Sequence, residues 1–274
     1  MFIGAADTGK STYAMDMARA ALDAGKTVGY VDADVAIDTI APPACTGLRI
    51  LRSVEDLDTI TQADEIRFVG STQPKHLVTQ LVVSTARLAK HARAEADLIL
   101  IDTTSIVSGV VGETLKYHKM ELSEPELVIG LQRGSELEPL AGMLSRFFDT
   151  TVELTSAHPD VAVSPPTARS ERLREALRRH LDGETERWRV RPTVFAPTLP
   201  TGLDLSRLDG VLVGVHDDLD HCLGLGVLDW DGSVLRVETK VGEGMKGLRL
   251  GSMRVDRETF APSPVNLREV MFGL

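Results

Sequence analysis

The sequence predicts an α/β fold, a mainly parallel sheet covered by helices on both faces, with a small β domain after it. Three observations carry this expectation. Short apolar runs alternate with amphipathic ones through the first 156 residues; a glycine-rich stretch joins the first run to the first helix; and beyond residue 184 helical periodicity gives way to short β-like runs separated by turns.

The elements follow in order. "MFIG" ends the first strand, and "STYAMDMARAALDAG" sets Ala14, Met17, Ala18, Ala21 and Leu22 on one helical face with Gly25 as the stop. "KTVGYVDAD" reads as a second buried strand, "IRFVGS" as a third, "HLVTQLVVSTARLAKHARAEA" as a long helix and "DLILID" as a fourth strand. "ELVIGLQR", the helical "SELEPLAGMLSRFF" and "TTVELTS" continue the alternation, and ligands of such sheets bind at the carboxyl ends of the strands. After "SPPT" comes an arginine-rich helix, "ARSERLREALRRHLDG", and then five β-like runs: "TERWRVRPTVF", "DGVLVGVHD", "CLGLGVLDWDG", "SVLRVETKV" and "GLRLGSMRVD". The expected division is therefore 1–183, including a helix near 168–181, and a β domain over 184–274.

Composition bounds the rest. At 274 residues, with 43% hydrophobic and 26% charged residues, the chain can bury a substantial core. Aromatic residues at 4% and a formal net charge of −10 argue against a protein that coats nucleic acid, because that task needs cations and stacking platforms. The charge is uneven: Arg169 to Arg191 holds eight arginines against five acids, so a local anion site stays open. No apolar run reaches the ~20 residues that cross a bilayer and no signal-peptide layout opens the chain, so a cytoplasmic protein without membrane attachment is expected. Cys45 and Cys222 read as reduced packing residues.

The stretch "GAADTGKST" carries chemistry. A glycine, four residues and Gly-Lys-Ser between an apolar run and an amphipathic helix form a phosphate-gripping loop, which makes this a P-loop NTPase. Gly4, Ala5, Ala6, Asp7, Thr8, Gly9, Lys10, Ser11 and Thr12 form the expected nucleotide site. Backbone N–H groups wrap a β-phosphate at a helix N-terminus, Lys10 reaches the β/γ oxygens and Ser11 ligates magnesium. Asp32 and Asp34 stand at the end of the second strand, on one side of it, where a carboxylate can orient a hydroxyl or hold magnesium through water. Asp102, after four apolar residues, has the pattern of a second magnesium carboxylate. Solvated acids at strand ends are the plainer reading of all three.

The loop, the "DADV" strand end followed by "APP", "FVGSTQP", "IDTTSIVSGVVGETLKYHK" and "ELVIGLQRGSELEPL" occur in the order and spacing of polynucleotide 5′-hydroxyl kinases, which this chain resembles over most of residues 1–183. That family includes the RNA kinase subunit of the eukaryotic pre-mRNA cleavage factor and compact archaeal and bacterial relatives, and "VETKVGEGMKGLRLGSMRVD" is similar to its C-terminal β domain. The resemblance implies transfer of the γ-phosphate of ATP or GTP, with Mg2+, to nucleic-acid 5′-hydroxyl ends, RNA before DNA. It implies Asp34 as the carboxylate that activates the hydroxyl, Asp32, Thr103, Thr104 and Ser105 around the terminal nucleotide, and Ser11 and Asp102 at the metal. Arg169 and Arg174 match the family's paired lid arginines, although Glu171 and Glu175 are close enough to make that run a solvated helix face.

The chain departs from the family at Ala36 and Ile37, where Gly-Gln is usual, at Ser105 in place of glycine, and at Ile106, where eukaryotic members often carry a stacking tryptophan. Weaker gripping of the end base is the consequence expected. Two rival functions follow: a nucleotide-dependent scaffold that has lost transfer, and a small-metabolite kinase or ligase on the same architecture. "HDDLDH" (216–221) reads as a turn, His118 as a surface histidine, and Trp188 and Trp230 as β-domain core.

Overall fold

The computed structural model describes residues 1–272 apart from Pro74 and His76, so the last residue of "FVGSTQP" and the first of the expected long helix lie outside the described residues. The chain forms two compact units: residues 1–41, 46–65 and 73–166, and residues 42–45, 66–72 and 167–274.

Seven strands build the first sheet: β1 (Phe2–Gly4), β2 (Val28–Ala33), β3 (Cys45–Leu51), β4 (Glu65–Phe68), β5 (Leu98–Thr103), β6 (Leu127–Gln132) and β7 (Thr151–Ser156), in the order β4-β3-β2-β5-β1-β6-β7. β1 pairs in parallel with β5 and β6, β2 with β5, and β6 with β7, whereas β2 and β3 are antiparallel. The parallel core needs crossovers, and helices supply them. α1 (Lys10–Asp23) packs Ala14, Ala18 and Leu22 with Phe2, Val28, Tyr30 and Leu100 on one face. On the other face α2 (Val78–Glu95), α3 (Gly109–Ser123) and α4 (Glu138–Phe147) pack Leu88, Met120 and Leu140 with Ile3, Val31 and Ile101. Alternate residues of each strand thus enter opposite clusters, as period-two side chains must when both faces are covered. The expected mainly parallel sheet is present. β3 and α3 are additions to it, and β4 is shorter than "IRFVGS", ending at Phe68.

The second unit holds α5 (Pro166–Leu181) and a six-stranded sheet of β8 (Glu186–Arg189), β9 (Val211–His216), β10 (Cys222–Trp230), β11 (Leu235–Thr239), β12 (Gly247–Val255) and β13 (Pro262–Pro264), followed by α6 (Leu267–Phe272). Each described pairing in it is antiparallel. Its core is Val211, Val213, Val215, Leu228, Leu235, Val237 and Leu248. All five β-like runs read from the sequence contribute a strand.

Composition changes near residue 184, but packing draws the boundary earlier. α5 belongs with the second unit, where Lys240 Nζ donates to Arg179 O at 3.0 Å and Leu181 lines a concavity with Val227 and Val255. Trp188 corrects the sequence reading. It lies on edge strand β8, is 42% exposed, and its indole N–H donates to Glu186 at 2.9 Å, so it is not core. Trp230 is half-buried against the second core, Cys45 and Cys222 are buried without a disulfide, and residues 216–221 form the β9–β10 turn around the Asp217 carboxylate. His118 is exposed and bonds Glu121 at 2.9 Å. Among the described residues no helix is long and apolar enough to cross a membrane.

Candidate active site

The site grows from three adjacent strand ends. Register sets Phe2 of β1 and Asp32 of β2 each opposite Asp102 of β5, and Ala33 opposite Thr103. Residues 4–9 leave β1 and enter α1 through Gly9, whose φ of 87° lies where glycine is the favoured residue. Gly9 is the N-cap and has no side chain to cap the first N–H groups of α1, an arrangement suited to an anion at that helix end. Asp7 also has positive φ, at 57°. The loop is braced from within: Thr8 Oγ1 and Lys10 Nζ each donate to Ala5 O at 3.0 Å. Arg133 donates to Asp7 O and to Val161 O, both at 2.6 Å, and Ser164 N–H donates to Asp7 Oδ2 at 2.9 Å. Ala6 and Thr12 are exposed, Ser11 half-buried.

Lys10, Ser11, Asp34 and Asp102 come together. Ser11 Oγ donates to Asp102 Oδ2 at 2.5 Å, and Tyr30 OH reaches the same oxygen at 3.4 Å. Asp102 Oδ1 is buried with no hydrogen-bond partner among the described residues. Burial raises the Asp102 carboxyl pKa above its ordinary value, opposed by the Ser11 hydrogen bond and the Lys10 charge. Lys10 is itself pushed down by burial, while Asp102, Asp34 and Asp7 favour its charge.

The two β2 acids have different fates. Asp32 accepts from Asp34 N–H at 3.1 Å through Oδ1 and from Ile40 N–H at 3.2 Å through Oδ2, so both oxygens fix the turn after β2. Among the described residues, Asp34 accepts from Ala36 N–H at 3.1 Å through Oδ1. Burial raises both carboxyls, Asp32 well above the usual range with Asp102 adding to it, while at Asp34 the Ala36 N–H and Lys10, Lys116 and Lys119 oppose the rise.

Thr103 is fully buried, and its hydroxyl donates to Phe2 O at 2.7 Å while accepting from Lys116 Nζ at 2.7 Å. Its side chain and that of Asp32 are committed inside the protein rather than presented to a nucleotide. Thr104 is buried at the strand end and Ser105 half-buried in the loop beyond it. Arg169 and Arg174 are exposed on α5 in the second unit, where Glu175 pairs with Arg178 at 3.0 Å.

Sequence reasoning missed Lys116 and Lys119, both fully buried, along with Tyr30 and Arg133. Burial drives the Lys116 amine well below its ordinary pKa, helped by the charges of Lys119 and Lys10, and brings Lys119 down to about 7. No local signal marks the two lysines, since lysines on a helix ordinarily face water.

Residues 4–183 match the family described as mRNA cleavage and polyadenylation factor CLP1 P-loop. The polyribonucleotide 5′-hydroxyl-kinase of Pyrococcus furiosus is 26% identical over 329 aligned positions covering 100% of this chain and 86% of that protein. That of Methanocaldococcus jannaschii is 25% identical, covering 93% and 86%. That of Pyrococcus horikoshii is 34% identical over a shorter match, 56% of this chain and 42% of that one. Among solved structures, the wild-type Clp1p-Pcf11p complex aligns with a TM-score of 0.68 at 13% identity, over 92% of this chain and 73% of that one, a likeness of fold.

Proposed function

Because the chain belongs to the mRNA cleavage and polyadenylation factor CLP1 P-loop family, we propose that it is a polynucleotide 5′-hydroxyl-kinase, moving the γ-phosphate of ATP or GTP to the 5′-hydroxyl of RNA in preference to DNA. The relatives named as polyribonucleotide 5′-hydroxyl-kinases support this over nearly the whole chain. The observation that carries it is the meeting of Lys10, the Ser11–Asp102 pair and the under-bonded Asp34 carboxylate at neighbouring strand ends.

The residues fit Mg2+. Asp102 keeps a buried oxygen that has no hydrogen-bond partner among the described residues, next to the one that holds the Ser11 hydroxyl, and a small hard cation takes oxygen ligands. When bound there, Mg2+ neutralises charge on the β- and γ-phosphate oxygens. The remaining work belongs to the chain. N–H groups at the start of α1 and the Lys10 amine bind the triphosphate; Thr104 and Ser105 border the terminal nucleotide. Asp34 takes the proton of the 5′-hydroxyl as its oxygen forms a bond to the γ-phosphorus and the bond from phosphorus to the β–γ bridging oxygen breaks, leaving ADP or GDP. Asp32 and Thr103 hold the frame in which that alignment is set. The family resemblance implies Arg169 and Arg174 of α5 as the forked donors for the transferring group.

The test is incubation with γ-labelled ATP and a 5′-hydroxyl oligoribonucleotide. Label at the oligonucleotide's 5′ end supports the reading; tight ATP retention with no transfer would instead identify a scaffold, and transfer only to small molecules a metabolite kinase.

A further inference from the structure

Lys116 and Lys119 lie three apart on α3, and neither side chain is exposed. Burying two amines is unfavourable, and apolar residues of similar size would commonly serve stability as well or better. What the amines accomplish is specific. Lys116 Nζ lies within hydrogen-bond distance of Thr103 Oγ1 at 2.7 Å, Thr104 O at 2.6 Å and Thr104 Oγ1 at 3.3 Å, so its polar contacts are directed at the end of β5. The Thr103 hydroxyl passes the link on to Phe2 O of β1 at 2.7 Å. Lys119 Nζ donates to Ala33 O, next to Asp34, at 3.3 Å, and its charge interacts with Asp34, Asp102 and Asp32. One helix therefore grips from behind both strand ends that the kinase reading assigns to the acceptor: the Thr104–Ser105 turn and the Asp34 turn.

We propose that Lys116 and Lys119 are positioning residues that fix the Thr104–Ser105 turn against the Asp34 carboxylate, so that the terminal nucleotide and the base meet in one geometry. This rests on the kinase reading. It assigns the two amines to acceptor alignment and leaves the triphosphate to the loop at the start of α1.

The experiment compares wild type, Lys116→Met, Thr103→Val and the double variant by steady-state kinetics with ATP and a 5′-hydroxyl oligoribonucleotide. Binding of the same oligonucleotide is measured by fluorescence anisotropy in the presence of a non-hydrolysable ATP analogue. Misplacement of a positioned substrate costs large factors, so Lys116→Met raises the oligonucleotide KM or lowers kcat by about tenfold or more while the ATP KM stays unchanged. Thr103→Val, which removes the shared hydroxyl and keeps the shape, moves the same parameters less, and the double variant is no worse than Lys116→Met alone. Strictly additive effects, an unchanged oligonucleotide KM and kcat, or an equal loss of ATP binding would overturn the assignment. If Lys116→Met does not fold, Thr103→Val alone decides, and wild-type kinetics there refutes the proposal. A wild type that transfers no phosphate refutes the kinase reading by itself. The anisotropy of the same proteins then judges the clamp, which is refuted if Lys116→Met and Thr103→Val bind the oligonucleotide as wild type does.

Discussion

Asp32 and Asp34 lie two residues apart at the end of β2, and under the proposed kinase reading their different hydrogen bonding favours Asp34 as the base. Among the described residues, Asp32 spends both oxygens on N–H groups of its own turn, while Asp34 spends one. Asp34→Asn removes the proton acceptor and keeps the shape, so kcat falls by about 10² to 10⁴ with nucleotide affinity retained, as rapid-quench transfer assays and ATP titration will read. Burial holds the Asp34 carboxyl above its ordinary value. The base works deprotonated, so kcat/KM for the acceptor climbs as pH rises through that raised value and levels off above it. A solvated aspartate would titrate around pH 4 and leave a nearly flat profile above about 5, the outcome that would remove Asp34 from this role. At this scale the phosphate loop was legible because its glycine and lysine spacing has one mechanical meaning. Lys116 and Lys119 were not, because lysines on a helix ordinarily face water, and nothing local announces that tertiary packing encloses them.

Strands and helices with unbroken apolar patterns were readable, and two of the missed elements, β3 and α3, show where such patterns fail. β3, "CTGLRIL", follows two prolines and carries a glycine and an arginine, so turn signals mask a strand whose buried pairing with β2 is visible only in the fold. α3 places lysines on its buried face and glycines in its first turn, which erases the apolar stripe of a core helix. α5 was legible as a helix, but its membership of the second unit depends on partners far along the chain, such as Lys240. Close approach sets another limit on the elements. A Cβ at Gly29 of β2 would stand 2.7 Å from the Ala92 Cβ of α2. Gly29→Ala therefore forces strand and helix apart and destabilises the protein by about 1 to 3 kcal/mol, seen as a lowered urea midpoint with unchanged slope. On α5 the argument concerns charge. If Arg174 meets the phosphoryl group only during transfer, Arg174→Ala lowers kcat by a factor on the order of 10³ and leaves the ATP KM in place. Equal losses in ATP binding and turnover would make it a ground-state contact instead.

Across the whole molecule the controlling quantity is charge. A net −10 repels a polyanion, and against it stands one run, Arg169 to Arg191, with eight arginines and five acids. Part of that run is spoken for: Arg178 pairs with Glu175 and Asp182, and Arg187 with Asp229 and Glu238. Eight arginines against five acids leave that run a surplus of only three positive charges, so it should displace few counterions from an RNA strand. Affinity for single strands falls with salt at a log–log slope of about −0.7 for each phosphate neutralised, so a protein holding two or three phosphates gives a slope near −2, where a coating protein gives several times that. Anisotropy titrations of a 5′-hydroxyl oligoribonucleotide over a series of KCl concentrations should return the shallow slope, and the affinity should not grow once the oligonucleotide extends past the few nucleotides nearest its 5′ end. A slope steeper than about −5, or affinity that keeps rising with length, would mean that the acidic body binds RNA along its length and that the end is not what is recognised.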